Sequence, residues 1–274
     1  MIETAVQPLP KDEVVKAIER GGPSRIPLVM AKWWGEGLHD QYGERLRQLD
    51  RYPHDVAMCM KGPVDFGALD LSWRREGEDG KRGHDSGGWL PDWACLDELI
   101  AKLPDPEAPG LLDDLRPAAE QARAQGRYLI YGFWCLFFER PWSLRGMANL
   151  MMDYYLHPDE VHRLYDALCT LYEGLIRRAG RELRPDGFWT SDDLGNQRQL
   201  MMRPEHFHEF LYPYYCRVGR AFAQQVLHVE SDEVRAEVRY LIDTFDRPDG
   251  GMCMAAGNGI VAGTPFENIE AFLD

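Results

Sequence analysis

The sequence predicts an α/β fold, most specifically a (β/α)8 TIM-type barrel. Short apolar runs alternate with amphipathic helical stretches along most of the 274 residues, a pattern typical of βαβ units in a mostly parallel sheet. A hydrophobic content of 45% supports a sizeable core. An open doubly wound sheet is the alternative, but the stretch MAKWWGEG after the first apolar run lacks the G-x-G-x-x-G spacing of a nucleotide-binding loop. The barrel is therefore favoured, as a single domain over residues 1–274.

The first half of the chain contains one predicted helix, two predicted strands and a long excursion. Residues 10–20 read PKDEVVKAIER, with acids at the helix start and GGP following as a stop signal. The apolar runs at 26–30 and 55–60 are predicted to be buried strands. From about residue 71 to 111 the chain is rich in Gly, Asp, Trp and Pro. We expect this excursion to shape a substrate pocket, because its tryptophans need a surface to pack on.

Strands and helices continue to alternate after the excursion. A strand is predicted at 127–131, after the helical stretch PAAEQARAQG, and a helix at 144–156. Pro158 opens the most secure helix of the chain, because apolar residues recur after it at intervals of three and four. The run at 187–190 is predicted to be a further strand.

The last part of the chain continues the same alternation. A helix opened by Pro204 should be kinked by Pro213, which lies in its interior and lacks a backbone N–H. Beyond it we expect a helix at 234–245, a strand at 250–254 and a final helix from Thr264.

Charge and composition exclude several classes of function. The 45 acidic residues outnumber the 31 basic residues, so the net charge is −14 and a nucleic acid would be repelled. No apolar run approaches the roughly 20 residues that span a bilayer, and the N-terminal MIETAVQPLPKDEVV does not resemble a signal peptide. We therefore expect a cytoplasmic protein without nucleic-acid or membrane partners. The six cysteines form no C-x-x-C pair, which argues against a zinc ribbon or a disulfide framework.

Candidate site residues follow the predicted strands. In a barrel, the carboxyl ends of the strands line the active site. Two acids follow the strand at 187–190, and because successive strand residues point to opposite faces, we expect one of them to face the pocket and the other to bond to neighbouring backbone. Glu139 and Arg140 are interpreted as a structural pair rather than as catalytic groups. The predicted catalytic residues are Asp192 and Asp193, and the predicted substrate-binding residues are Lys32, Trp33, Trp34, Asp65, Tyr131, Trp134 and Asn258.

Several stretches, taken in order, resemble the uroporphyrinogen decarboxylase superfamily. They are PSRIPLVMAKWW, FERPWSLRGMANLMMD with HPDEVHRLYDAL, DGFWTSDDLGNQRQLMMRPEHFHEFLYPYYCRV, and GGMCMAAGNGIVAGTPFENIEAF. The superfamily also holds zinc-dependent methyltransferases that feed methyl groups to corrinoid proteins and thiols. The resemblance implies a (β/α)8 barrel with its site at the carboxyl ends of the strands. It also indicates that two or three βα units, of about 30 residues each, are missing between Ala223 and Gln224.

The resemblance implies a small-molecule substrate and leaves three functions open. The first is methyl transfer from a methoxylated aromatic or methylammonium substrate to a corrinoid, carried by a partner protein, or to a similar acceptor, with zinc as a Lewis acid. The second is uroporphyrinogen decarboxylation, which needs no cofactor. Arginines that would hold the substrate's carboxylates are replaced after the first strand by KWWGE, which favours methyl transfer. The third is a barrel without catalysis that binds a small molecule or a corrinoid protein, a function that Asn258 slightly favours because it stands where a metal ligand is expected.

Overall fold

The computed structural model describes residues 6–30, 32, 34–35, 37–73, 89–196 and 199–226. These residues form a mixed helix and strand architecture with one three-stranded parallel sheet in the order β1-β2-β3. The strands are β1 (Val56–Met60), β2 (Tyr128–Trp134) and β3 (Gly187–Ser191). The α/β class is thus confirmed, and closure of the sheet into a barrel stays a prediction.

The described part of the chain also contains nine α-helical segments. They are α1 (Lys11–Ile18), α2 (Leu38–Tyr42), α3 (Leu96–Ala101), α4 (Arg116–Ala124), α5 (Glu139–Arg145), α6 (Met147–Leu156), α7 (Pro158–Glu182), α8 (Pro204–His206) and α9 (Tyr212–Val226). No helix among the described residues is both long and apolar enough to cross a membrane. The predicted elements at 234–245, at 250–254 and from Thr264 lie outside the described residues.

Two helices confirm the sequence prediction most closely. Helix α1 has acids in its first turn and Lys16 in its last, which suits the helix dipole at both ends. Helix α7 begins with Pro158 at its first position and is the longest helix described, with 25 residues. Its buried side chains recur at intervals of three and four, because they form the face that packs on α9 and on Phe133 of β2.

Two local predictions differ from the structure for backbone reasons. The run at 26–30 does not form a strand, since Pro27 has no N–H to donate and Met30 has a positive φ of 51°. The helix predicted at 144–156 is divided between α5 and α6 at Gly146, whose φ is 83°. Ahead of Pro213 the helix widens into a π-helical turn at Phe207–Leu211 and continues directly into α9. The kink expected at Pro213 stays a prediction.

The described residues fall into two compact units, 6–59 with 117–130 and 60–116 with 131–226. The first unit has two groups of packed apolar side chains: Leu28, Leu38, Leu46, Leu49 and Tyr52; and Leu9, Val14, Val29, Val56 and Tyr128. The extent of a single domain over residues 1–274 stays a prediction.

Asp55 fastens the N-terminal segment of the first unit. Its fully buried carboxylate accepts hydrogen bonds from the Arg25 guanidinium at 2.6 and 2.7 Å, from the Leu9 amide at 2.8 Å and from the Leu28 amide at 2.7 Å. Burial raises the pKa of Asp55, but these hydrogen bonds outweigh burial and hold the pKa below its usual value. The ionised carboxylate therefore joins three parts of the chain.

The second unit is built on an aromatic core. Tyr131 and Phe133 of β2 contact Phe188 of β3, with ring centroids 6.4 and 5.5 Å apart, and Phe133 packs on Tyr172 of α7 at 5.0 Å. Phe137 extends the same cluster to α7 and α9. Because these rings alternate along β2, the opposite face of that strand is left for Gly132 and Trp134.

The excursion is described in part, at 71–73 and 89–111. There the Trp93 ring lies 4.6 Å from the Arg145 guanidinium, and its indole N–H donates to Asp153 at 3.1 Å. Arg145 and Asp153 form a buried ion pair at 2.8 Å. This tryptophan therefore has the packing surface that the sequence required, although that surface is a charged pair.

We predict that Asp55→Asn destabilises the protein by about 2–3 kcal/mol, because it leaves a buried donor set without its charge. Above about pH 4 the wild-type carboxylate contributes its full stability, which is lost as the pH falls through the lowered pKa. Urea unfolding between pH 3 and 7 measures both effects. Asp50→Asn is the matched control, since Asp50 is 72% exposed and lies 4.0 Å from Lys32. If Asp55→Asn lost no more stability than Asp50→Asn, Asp55 would not stabilise the N-terminal segment as described.

We predict that Gly132→Ala costs about 1–3 kcal/mol through overpacking between β2 and β3. A methyl group on Gly132 would lie 2.1 Å from the Trp189 carbonyl oxygen, which is backbone and has little room to move. Gly62→Ala is the control, because a methyl group there meets nothing within 4 Å. Thermal unfolding of both variants measures this loss of stability. Equal melting temperatures would show that β2 and β3 accommodate the methyl group without losing stability.

Candidate functional site

The carboxyl ends of β2 and β3 lie side by side in the second unit. The amide of Cys135, just after β2, donates to the carbonyl of Ser191, the last residue of β3, at 3.1 Å. Cys135 has a φ of 63°, a left-handed conformation that is uncommon for a residue other than glycine. The chain then turns towards α5, while the chain after β3 supplies Asp192 and Asp193. Such backbone strain occurs most often where a structure holds a functional group in place.

Asp192 occupies the centre of this region. Its carboxylate accepts hydrogen bonds from the amides of Phe137, Phe138 and Glu139 at 2.6, 2.8 and 2.7 Å, and from the Tyr215 hydroxyl at 2.5 Å. Burial raises the pKa of Asp192, whereas these four hydrogen bonds lower it, and the net direction is upward. Because all four neighbours are donors, the arrangement suits the ionised carboxylate, which accepts only.

Tyr215 reaches Asp192 from α9, one turn beyond the π-helical segment. Burial and the charge of Asp192 raise the pKa of Tyr215 far above its usual value. The hydroxyl therefore stays protonated and donates a hydrogen bond to Asp192. The tyrosine ring also packs edge-on against Phe137, with centroids 5.5 Å apart. Asp192 thereby joins the end of β3 to the start of α5 and to α9.

Glu139, the first residue of α5, has an unusual carboxyl group. Burial, followed by the negative charges of Asp192 and Asp193, raises its pKa to about 7. Hydrogen bonds from the Asp193 amide and the Cys135 thiol oppose this shift without cancelling it. We call Glu139, Asp192 and Asp193 the strand-end acids. A carboxyl group with a pKa near 7 is suited to give or take a proton at neutral pH.

The thiol of Cys135 and the guanidinium of Arg140 lie beside the strand-end acids. Burial and the charge of Glu139 raise the pKa of Cys135 to about 12, so this cysteine is a neutral thiol and a poor nucleophile. The guanidinium of Arg140 lies 5.3 Å from the Phe66 ring. Its positive charge opposes the raised pKa of Tyr172, whose hydroxyl is buried in α7. Arg140 therefore brings a positive charge to this group of acids.

The structure brings some of the sequence-predicted residues together. Asp192 and Asp193 both adjoin Glu139, with Asp192 partly buried and Asp193 exposed. Trp134 packs edge-on against Trp189, with ring centroids 4.3 Å apart, on the β2 face that carries Gly132. Both indoles are partly exposed. An aromatic surface therefore lies on the same pair of strands that ends in the acids.

Other predicted site residues have different surroundings. Tyr131 is 1% exposed and belongs to the aromatic core. Asp65 is exposed, and its carboxylate accepts from the Gly67 amide at 2.9 Å, which caps a short 3-10 helix. Lys32 and Trp34 belong to the first unit. There Trp34 packs against an apolar cluster, and burial lowers the pKa of Lys32 despite the neighbouring Asp50. Trp33 and Asn258 lie outside the described residues.

The expected zinc has no ready-made site in the part of the chain that the structure describes. Among these residues, no group of three or more His, Cys, Asp and Glu side chains is placed to hold a metal ion. Within the strand-end cluster, the oxygens of Asp192 already accept four hydrogen bonds. The zinc implied by the resemblance stays a prediction. The junction at Ala223 and Gln224 lies within α9, and a segment missing at this point also stays a prediction.

Sequence reasoning missed the roles of Glu139 and Tyr215. The sequence favoured Glu139 as one half of a structural pair with Arg140, but its pKa depends on acids more than 50 positions away in the chain. The signal in the sequence was the glutamate directly before Arg-Pro, at the start of a helix that follows a strand. Tyr215 gave no such signal, because its hydroxyl meets a carboxylate that lies 23 positions away in the chain.

We predict that Asp192→Asn lowers stability by about 2–3 kcal/mol, whereas Asp193→Asn changes it by less than about 0.5 kcal/mol. The side-chain amide introduced at position 192 would turn a donor towards groups that are themselves donors, while Asp193 is exposed and is needed only for its charge. Chemical denaturation of the two variants measures the difference. Equal effects would mean that Asp192 is not the anchor described here.

Comparison with protein-family models and with curated proteins gives no match for this chain.

Proposed function

We propose that this chain is an enzyme of the uroporphyrinogen decarboxylase superfamily, built on a (β/α)8 barrel. It transfers a methyl group from a small methoxylated aromatic substrate to a corrinoid or similar acceptor. A methylammonium compound is the second substrate class that fits the same surface. The observation that carries the proposal is the cluster of strand-end acids, in which Glu139 has a pKa of about 7.

The position of the cluster supports an enzymatic role. Parallel α/β folds place their catalytic residues at the carboxyl ends of strands. Asp192 and Asp193 directly follow β3, and Glu139 opens α5 after the loop that follows β2. The ionised Asp192 is fixed by backbone amides, so it holds a charge beside Glu139 without moving. This arrangement keeps Glu139 protonated up to neutral pH, as a general acid requires.

Demethylation of an aromatic ether needs such an acid. The bond between the methyl carbon and the ether oxygen breaks, the electron pair stays on the oxygen, and Glu139 gives its proton to that oxygen. The acceptor supplies the nucleophile that takes the methyl group. The indoles of Trp134 and Trp189 offer a flat apolar surface for the aromatic ring of the substrate.

The charge of the cluster argues against a polycarboxylate substrate. Three carboxyl groups and one guanidinium surround the described part of the site, in a chain of net charge −14. A tetrapyrrole with many carboxylates would be repelled unless further cations approached it. Uroporphyrinogen decarboxylation remains the alternative, since Arg140 provides one partner for a carboxylate and Glu139 could protonate the carbon that loses carbon dioxide.

We predict that the purified protein demethylates a methoxyphenol with reduced cobalamin as acceptor, and that the rate falls as the pH rises through about 7. The sign follows from Glu139, which is active when protonated and loses its proton above its raised pKa. Glu139→Gln should lower kcat by about 10²-fold or more. Glu205→Gln is the control, because Glu205 is exposed on α8. Product analysis by chromatography gives the rates.

Parallel reactions separate the alternatives. Turnover of uroporphyrinogen without methyl transfer would establish the decarboxylase instead. Turnover of tetramethylammonium alone would keep the methyltransferase but replace the aromatic substrate. A Glu139→Gln variant as active as wild type would reject the acid role.

A further inference from the structure

A cavity of about 390 Å³ lies in the first unit, apart from the residues of the candidate site. Its apolar lining is Met30, Val56, Ala57, Met58, Ala118 and Ala122. Its polar lining is His54, Gln121, Gln125 and Arg127. The volume lies in the range of about 300–1,000 Å³ that is usual for small-molecule sites, and such sites combine an apolar wall with a few polar groups.

Arg127 gives the cavity a positive charge. One guanidinium nitrogen, Nη2, donates to the backbone carbonyl of His54, which fixes the side chain beside the start of β1. Nε of the same guanidinium is buried and has no hydrogen-bond partner among the described residues. A buried donor of this kind normally has a partner, because leaving it without one is costly. An acceptor from a ligand would satisfy it.

The surroundings of Arg127 do not cancel its charge. Burial, and then the positive charges of Lys32 and Arg127, lower the pKa of His54, and the charges of Asp55 and Asp50 oppose this shift without cancelling it. Asp55 is paired with Arg25. The other nearby acid, Asp50, is exposed and lies 4.0 Å from Lys32. In a chain of net charge −14, a local excess of positive charge against an apolar wall favours an anion with an apolar body.

We propose that this cavity binds a small organic carboxylate, with its carboxylate on Arg127 and its apolar body against Met30, Met58 and Ala118. Guanidinium groups recognise carboxylates with directed, charge-assisted hydrogen bonds. The glutamines at the rim, Gln121 and Gln125, lie on or just after α4 and add uncharged donors and acceptors for further polar groups. This site is separate from the proposed methyl-transfer site and does not depend on it.

Isothermal titration of the full chain with 2-naphthoate tests the proposal, with 2-naphthalenemethanol as the uncharged analogue. We expect one naphthoate per chain and at least about tenfold weaker binding of the alcohol. Arg127→Met should weaken naphthoate binding by a similar factor. Arg47→Met should leave it unchanged, because this arginine of the first unit is 77% exposed and lies outside the cavity.

A second variant keeps the test decisive if Arg127→Met fails to fold. Ala118 is exposed on α4 and lines the cavity, so Ala118→Trp should fill the space and abolish naphthoate binding while the urea midpoint is kept. Absence of naphthoate binding to wild type, equal affinity for acid and alcohol, or undiminished binding to Ala118→Trp would each overturn the proposal.

Discussion

The carboxylate of Asp192 holds the second unit together at the point where β2 and β3 end. Three consecutive amides at the start of α5 and the hydroxyl of Tyr215 all donate to it. A carboxylate with four donors is expensive to replace, since each donor would be left buried without an equivalent partner. In the loop after β2, the left-handed conformation of Cys135 comes shortly before the three amides that donate to Asp192.

The same charge determines the chemistry available beside it. Glu139 donates its own amide to Asp192 while its side chain accepts from the Asp193 amide. A second negative charge this close to Asp192 is unfavourable, and burial adds to the cost, so the Glu139 carboxyl keeps its proton to a higher pH. An anchoring carboxylate and a protonated carboxyl thus occur side by side. This pairing of two acids with different environments is how enzymes obtain a proton donor at neutral pH.

The elements that sequence reasoning predicted are those whose signals are local. The apolar periodicity after Pro158 and the position of that proline specified α7, and the apolar runs specified β1, β2 and β3 to within a few residues. The run at 26–30 was misleading because it has the composition of a strand without its backbone geometry. In the site, the acids after β3 were visible in the sequence. The raised pKa of Glu139 and the hydrogen bond from Tyr215 to Asp192 were not, since both arise from contacts between distant segments.

Burial against Asp192 and Asp193 keeps Glu139 protonated near neutral pH. Carbon NMR of selectively labelled glutamate, assigned with Glu139→Gln, measures the titration of Glu139 directly in wild type and in Asp193→Asn. We expect a midpoint near pH 7 in wild type and a lower midpoint in Asp193→Asn, where one repelling charge is removed. A Glu139 midpoint at the ordinary value of about 4.3 in both proteins would show that these neighbours do not hold the proton on Glu139.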